Sequence, residues 1–546
     1  PFSAHNPTQH LYRTGLHPLQ RLHWARDKQE MRNLHLLAQS VAQLDLPGSV
    51  VQYSTVDTDR QVLYATTNTN VLLGIDIASN TLLLELNLET EDSNKVMGIQ
   101  YVPDTESVVV ATWSGDILAI ERLASPKPEQ DVIGSIETGI ESMAWAPDFE
   151  VVLFTTRANT LLMMTQEWDT IFEQPIVPEN EAAQVASRLA IHEPSKIKLE
   201  TTINDVKRVA EAKTLIAEQM EQAKDFMPML PHVGQNVITW RGDGQFFAVS
   251  SPNTEEKESM ASIFRVFDRS GKFFTKSESG VLTQSVLLAW KPSGDVLAST
   301  QSLPTHDEVI FFEKNGLRHY EFKIHPEHGR IIDLQWNASS DILSTVVRLP
   351  NHPLSPMVGG MHRLSGSRTF STHSLALQLW STKNYHWYLK QELLFHDNHI
   401  SVNWDAENGM LLTITTEDGE ISQHTLCWDV DITRGIQSQY VAPTTLAKFQ
   451  KPQLSHANNH SVAAVIDGPK LLLSALKYQV VPPPMSTVSI TSHGAISQVA
   501  FDLANNFMIF HSDGAVALYE HYTPDLTPGQ PPRYNLPPKF LAKCKP

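Results

Sequence analysis

The sequence predicts an all-β fold built from propeller blades, and two observations support this prediction. First, a hairpin pattern recurs in which an apolar strand reaches an aromatic residue just before a turn. In Asn236–Ser250, Trp240 precedes the turn at residues 241–244 and a second β-rich run follows. Second, five of the eight intervals between copies are 44 to 50 residues long, close to the roughly 40 to 45 residues of a four-stranded blade. One such sheet cannot bury both faces alone, so the copies must stack around an axis.

Each copy supplies one aromatic anchor at an equivalent point of the repeat. The anchors are Tyr53, Tyr101, Trp145, Trp240, Trp290, Trp336 and Trp404, with Phe449 and Phe501 as further candidates. Recurrence at one place in a repeat indicates packing between blades rather than platforms for stacking bases. We therefore expect these side chains in the core.

The repeat also predicts the domains. Residues 1–30 follow neither a helical nor a strand period and predict a disordered leader. Residues 31–430 predict a first, seven-bladed propeller, and residues 431–522 predict the opening blades of a second, incomplete one. A Pro-rich tail, residues 523–546, is expected to end it. Because an incomplete ring leaves strand edges unpaired, we expect residues 431–546 to be loosely ordered or aggregation-prone when isolated.

Short apolar runs separated by polar turns predict the individual strands. In the first two blades these runs are residues 50–53, 61–66, 71–76, 81–86, 98–103, 107–112 and 116–120. None of these blades requires a long helix.

Two insertions interrupt the repeat. Residues 179–232 place apolar side chains from Ile203 to Met220 on one helical face, which predicts an amphipathic helix. That helix would pack on its own propeller or dock a partner, and disorder is the third alternative. Residues 349–374 are rich in Pro and Gly and predict a mobile loop, in which Arg363 and Arg368 could contact RNA or an acidic partner.

Composition excludes several classes of function. A formal net charge of −18 opposes a broad phosphate-binding surface. The two cysteines, Cys427 and Cys544, exclude a disulfide framework and a Cys-rich zinc site, and they fit a reducing compartment. The sequence contains neither an apolar run long enough to span a membrane nor a signal-peptide core. We therefore expect a soluble, cytoplasmic protein, with the nucleus as a second location, that does not bind membranes.

No common catalytic or nucleotide-binding motif occurs in the sequence. His386 and His424 stand alone, without a second ligand at a fixed offset, so a structural role is favoured over a metal ligand. We expect no catalytic residue, cofactor or metal. Trp113 and Trp387 fall outside the register of the anchors and are candidates for contact with a partner, as are the two arginines of the loop.

Six segments, in order, resemble the N-terminal part of the largest-subunit family of the Elongator complex, also called the IKAP family. They are TWRGDGQFFAVS from Thr239, AWKPSGDVLAST from Ala289, VIFFEKNGLRH from Val309, YHWYLKQ from Tyr385, VIDG from Val465 and VVPPPM from Val480. The resemblance implies two tandem WD40-type propellers. Residues 196–225 stand where the family usually carries a Val-Gly-Trp-Gly stretch, so the chain departs from the family there.

The resemblance further implies a non-catalytic scaffold that works in modification of the tRNA wobble uridine. Its partners would be the catalytic subunit and the other propeller subunit of Elongator. Contact with tRNA, and homodimerisation, are implied only through the assembly or through a C-terminal region beyond this chain. An unrelated propeller adaptor in trafficking or transcription is the alternative, and a propeller enzyme, which needs converging acid, base or metal groups at the axial mouth, is the third.

Overall fold

A computed structural model describes the chain in fourteen stretches, and the structural statements below concern these residues. The stretches are residues 32–44, 49–90, 94–125, 128–178, 236–252, 262–277, 287–303, 306–326, 329–350, 373–432, 462–475, 484–502, 506–520 and 540–544. Their regular secondary structure is entirely β-strand, arranged in nine four-stranded antiparallel sheets. No helix among them is long and apolar enough to cross a bilayer.

The strands run in chain order through the sheets. The first is β1 (Asn33–Gln43), which joins a sheet formed much later in the chain. The first sheet contains β2 (Val51–Asp57), β3 (Val62–Thr67), β4 (Val71–Asp76) and β5 (Thr81–Asn87). The second contains β6 (Val96–Val102), β7 (Ser107–Thr112), β8 (Asp116–Glu121) and β9 (Glu129–Ser135). The third contains β10 (Ile140–Trp145), β11 (Val151–Thr156), β12 (Thr160–Thr165) and β13 (Thr170–Pro175).

The next four sheets repeat this order. The fourth contains β14 (Ile238–Trp240), β15 (Phe246–Pro252), β16 (Ser262–Asp268) and β17 (Phe273–Lys276). The fifth contains β18 (Leu288–Trp290), β19 (Val296–Ser302), β20 (Asp307–Glu313) and β21 (Arg318–Lys323). The sixth contains β22 (Arg330–Trp336), β23 (Leu343–Arg348), β24 (Leu375–Lys383) and β25 (His386–Phe395). The seventh contains β26 (Ile400–Trp404), β27 (Leu411–Thr416) and β28 (Glu420–Asp429), with β1 as its outer strand.

The chain divides into two compact units. The larger comprises residues 36–382 and 387–427 and carries the seven sheets above. The smaller comprises residues 1–35, 383–386 and 428–546. Its two described sheets consist of β29 (Asp431–Ile432), β30 (Val462–Asp467), β31 (Lys470–Ala475) and β32 (Val488–Thr491), and of β33 (Ile496–Phe501), β34 (Phe507–His511), β35 (Val516–Tyr519) and β36 (Phe540–Cys544).

Neighbouring sheets of the larger unit pack face to face around a common axis. The first strand of each sheet contacts the first strand of the next from β2 through β22, and β2 also contacts β26. The sixth and seventh sheets meet where the Trp404 indole donates to the Ser344 hydroxyl at 3.0 Å. Middle strands are covered on both faces: every residue of β3, β7 and β11 is buried. This burial explains their continuous apolar runs, and the all-β propeller prediction is confirmed.

The core lies between the sheets. Tyr64 of the first sheet stacks on Tyr101 of the second with ring centroids 5.7 Å apart, within a cluster that includes Leu72 and Val108. Each fully buried aliphatic or aromatic side chain of this kind contributes roughly 1.5 to 3 kcal/mol relative to an exposed one. Such clusters recur from sheet to sheet and hold the unit together.

The predicted helix in residues 179–232, the leader and nearly all of the loop at 349–374 lie outside the described residues. The tail, residues 523–546, was expected to end the second set of sheets, but Phe540–Cys544 forms β36 and pairs with β35. This strand can form because its residues Phe-Leu-Ala-Lys follow the proline cluster of the tail and have backbone N–H groups available for pairing.

Candidate interaction surface

Strand direction gives the larger unit two distinct ends. At one end, the second strand of each sheet ends, the third strand begins, and the chain passes to the next sheet. We call this the loop end. The connections that contain residues 179–235, 253–261, 278–286 and 351–372 all leave and re-enter the sheets there. The opposite end carries short turns such as residues 241–245 and 291–295. Insertions in a scaffold accumulate where binding residues are displayed.

An exposed aromatic residue lies at the loop end of the second sheet. Trp113 follows β7, is 37% exposed, and its backbone N–H donates to the Lys95 carbonyl at 2.8 Å. The Arg157 guanidinium, from the equivalent turn of the third sheet, lies over the indole ring at 4.5 Å from its centroid. Such a pair is worth about 0.5 to 1 kcal/mol at an exposed site. It presents a flat, amphipathic surface to solvent.

Two glycines allow this close approach of neighbouring loops. Gly139 has φ +78°, and a Cβ atom there would lie 2.7 Å from the Trp113 carbonyl oxygen. Gly115 has φ +111°, and its Cβ would lie 2.0 Å from the Ile136 carbonyl oxygen. Only glycine combines positive φ with no side chain. These residues fix the position of the Trp113 turn.

A partly buried carboxylate lies beside this pair. Glu141 accepts a hydrogen bond from the Asn236 amide at 2.7 Å. Burial raises the pKa of the Glu141 carboxyl, while Asn236 and the nearby Arg157 charge act in the opposite direction. The Asn159 side-chain oxygen is a second acceptor for Asn236, at 3.4 Å. The Arg157 charge therefore acts on both the Trp113 ring and the Glu141 carboxyl.

An acidic group occupies the loop end of the seventh sheet. Carboxylate oxygens of Asp397, Glu417 and Asp418 lie within 4.8 Å of one another. Glu417 accepts hydrogen bonds from the Asn398 backbone at 2.9 Å and from its amide at 3.0 Å. Burial, followed by the charges of the other two carboxylates, raises the pKa of Asp397. Because Glu417 is engaged by a turn backbone, turn geometry explains the group and we assign no metal to it.

The anchors fall mostly at one structural position. Trp145, Trp240, Trp290, Trp336 and Trp404 each end the first strand of their sheet, and Tyr101 occupies the last position but one of β6. Tyr53 does not occupy this position. Strands β2 and β6 each have a β-bulge near their start, and Val56 lies as far beyond the bulge of β2 as Tyr101 lies beyond the bulge of β6. Tyr53 nonetheless packs against the core between the first two sheets.

The four contact candidates have different outcomes. Trp113 is exposed at the loop end, whereas Trp387 is 8% exposed and stacks on Phe311 at 4.8 Å and on Phe322 at 4.9 Å. The expectation that Trp387 contacts a partner is therefore wrong, since β25 turns its indole into the core. Arg363 and Arg368 lie outside the described residues. Arg157, which the sequence reading missed, follows a second strand just as Trp113 does, and this shared turn position was the available signal.

The isolated histidines have structural partners. His424 is buried and its Nε2 lies 3.0 Å from the Ser422 hydroxyl, while His386 Nε2 lies 3.0 Å from a carboxylate oxygen of Asp467. Within the described stretches, neither histidine belongs to a group of three potential metal ligands. Both contacts are those expected of structural histidines.

Comparison with known families gives two matches. The family model for the ELP1 first N-terminal beta-propeller matches residues 31–407, and the model for the ELP1 N-terminal second beta-propeller matches residues 465–538. The first match covers the first six sheets completely and, of the seventh, β1 and β26, which ends at the anchor Trp404.

Curated proteins named Elongator complex protein 1 are similar over most of the chain. The Mus musculus protein is 31% identical over 448 residues, which cover 81% of this chain and 30% of the relative. The Arabidopsis thaliana protein is 24% identical over 520 residues, covering 91% and 32%, and the Saccharomyces cerevisiae protein is 27% identical over 460 residues, covering 78% and 30%. The chain thus spans about 30% of the length of these relatives.

Proposed function

Because the chain belongs to the Elongator complex protein 1 family, we propose that it is a non-catalytic scaffold part of that complex, which acts in modification of the tRNA wobble uridine. Its propellers would hold the catalytic subunit and the other propeller subunit. The single observation that carries this proposal is the family match over residues 31–407, a segment that contains β1 to β26 of the ring of sheets.

The geometry of the larger unit supports a binding role. Its insertions leave the sheets at the loop end, where Trp113 and Arg157 present an exposed aromatic surface. Trp and Arg are enriched among the residues that dominate the energy of protein interfaces. The net charge of −18 is unfavourable for direct binding of RNA by this chain, so we assign contact with tRNA to the assembly or to regions beyond residue 546.

Further parts of the proposal rest on the family alone. Homodimerisation would use a region that the family carries outside this segment. We also propose a cytoplasmic location, with the nucleus as a second one. Neither a cofactor nor a metal enters the proposal.

Co-expression tests the proposal directly. The chain, expressed with the Elongator catalytic subunit and the other propeller subunit, should co-purify with at least one of them as a complex of defined stoichiometry by size-exclusion chromatography with light scattering. A folded chain that binds neither subunit contradicts the proposal. Recovery of a different assembly from cells, with no Elongator subunit in it, would favour the unrelated adaptor.

A further inference from the structure

The outer strand β1 differs in charge from the six other outer strands of the larger unit. Each of those carries at least one Asp, Glu, Lys or Arg that is not buried: Glu85 in β5, Asp131 in β9, Glu173 in β13, Lys276 in β17, Glu321 in β21 and Glu392 in β25. The eleven residues of β1 carry none. Charged residues on outer strands protect proteins against pairing with other chains. β1 lacks this protection in a chain whose net charge is −18.

The backbone of β1 presents hydrogen-bonding groups outward. In the order β1-β28-β27-β26, the strand is paired on one side only among the described residues. The Leu44 N–H donates inward to the Gly419 carbonyl at 3.0 Å, whereas the Val41 carbonyl accepts from the Asn80 amide of the next sheet at 3.5 Å. Backbone groups of alternate residues in a strand point to opposite sides. The N–H and C=O groups of Leu37 and Gln39 therefore face outward, like those of Val41.

The side chains of the same stretch are uncharged, mostly apolar and open to solvent. All six residues from Leu36 to Val41 are exposed, and Leu36, Leu37 and Val41 are exposed by 41%, 69% and 50%. Alternation places Leu37 and Val41 on one face of the strand and Leu36 on the other. An added strand could thus be contacted on both faces as well as along the backbone.

We propose that Leu36–Ser40 is a docking edge that accepts an extended, uncharged segment of a partner protein as an additional β-strand. Extended backbone is the form that satisfies the outward groups of Leu37 and Gln39. A segment rich in charge would gain no ion pair along β1, and burying its charges against Leu37 and Val41 would be costly. The Asn80 amide on the Val41 carbonyl limits the docked strand at that end. This inference does not depend on the proposed function.

Hydrogen exchange on the whole 546-residue chain tests the proposal. The probe is an acetylated and amidated peptide of alternating Thr and Val, six residues long, added up to about 1 mM, the weak end of the affinity scale. Residue-level mass spectrometry measures the exchange of each amide. The amides of Leu37 and Gln39 should exchange about tenfold more slowly with peptide than without it, because each gains a hydrogen-bond acceptor. The amides of Ala38 and Ser40, which face β28, should not change.

Substitutions make the test specific. Leu37→Lys and Gln39→Pro should each weaken peptide binding by about tenfold or more, because a charge and a missing N–H both oppose strand addition. The matched control is Val132→Lys on β9, which is 60% exposed on an outer strand that is already charged, and it should bind as the unsubstituted chain does. Thermal unfolding checks that each variant folds.

Three results would overturn the proposal. One is the lack of protection at Leu37 and Gln39 at the highest peptide concentration. Another is unchanged binding by folded Leu37→Lys. The third is protection that grows with the concentration of the chain alone, together with a dimer by light scattering, since the occupant would then be a second copy.

Discussion

The indole N–H of Trp240 donates to the backbone carbonyl of Ala144, the residue just before Trp145, at 3.2 Å. The same contact recurs two sheets later, where the Trp336 indole donates to the carbonyl of Ala289, just before Trp290, at 3.2 Å. Each bond joins the first strand of one sheet to the first strand of the sheet before it. The aromatic residue that marks the repeat in the sequence is thus also a hydrogen-bond donor across the sheet interface.

This contact predicts unequal effects of the same substitution at two anchors. Trp240→Phe removes the donor from a carbonyl at the interface, whereas the Trp145 Nε1 is buried with no acceptor among the described residues. Trp240→Phe should therefore lower the free energy of unfolding by roughly 1 to 2 kcal/mol more than Trp145→Phe. Urea unfolding followed by circular dichroism measures the difference. Equal losses would show that the indole bond adds nothing.

The repeat could be predicted because its turns and aromatic residues are local in sequence, as in Trp240, Trp290 and Trp336. Tyr53 was misaligned because it lies at the bulge of β2, three residues before Val56, the residue equivalent to Tyr101. The pairing of β1 with β28 could not be predicted, since nearly four hundred residues separate Asn33–Gln43 from Glu420–Asp429. Local patterns carry no signal for such a pairing.

Trp387 was expected at a surface because its position lies outside the anchor register, which says nothing about its neighbours in space. In the structure it stacks on Phe311 and Phe322 and contacts Trp336 at a tilted angle. Trp387→Ala should therefore lower the free energy of unfolding by about 3 to 5 kcal/mol, as removal of a buried aromatic side chain does. Trp113→Ala, at a site that is 37% exposed, should cost less than about 1 kcal/mol. Similar losses for the two variants would contradict this placement of Trp387.

His424 predicts acid sensitivity of the larger unit. Burial lowers the pKa of His424 from 6.5 to about 4. Between these values the unfolded chain binds a proton that the folded chain does not, so this residue makes stability fall as pH decreases from about 6.5 to about 4. The loss should reach at most about 3 kcal/mol, and His424→Gln should remove it. His319→Gln, at a side chain that is 55% exposed, is the control. Parallel curves of unfolding free energy against pH for all three proteins would exclude this role.

The backbone conformation of Gly139 should control the position of the neighbouring Trp113 turn. Gly139→Ala places a Cβ at positive φ and 2.7 Å from the Trp113 carbonyl, so we expect a loss of about 1 to 3 kcal/mol and a change in Trp113 fluorescence. Gly494→Ala is the control, because its Cβ would meet no atom within 4 Å. Its effect should lie within about 0.5 kcal/mol of zero. A tolerated Gly139→Ala with unaltered fluorescence would show that the two loops can separate freely.

The exposed pair at the loop end leads to the prediction that bears most directly on function. Trp113 is 37% exposed and covered on one face by Arg157, so its ring is already ordered before a partner arrives. An ordered aromatic side chain loses little entropy on binding. Residues of this kind can each contribute about 2 kcal/mol or more to the binding free energy of an interface. Trp113→Ala should therefore weaken binding to an Elongator partner subunit by about tenfold or more, measured by calorimetric titration. Tyr320→Ala is the matched control, since Tyr320 is equally exposed at 37% but lies on the outer strand β21, away from the loop end. If Tyr320→Ala weakens binding as much as Trp113→Ala does, the partner reaches the rim of the sheets instead.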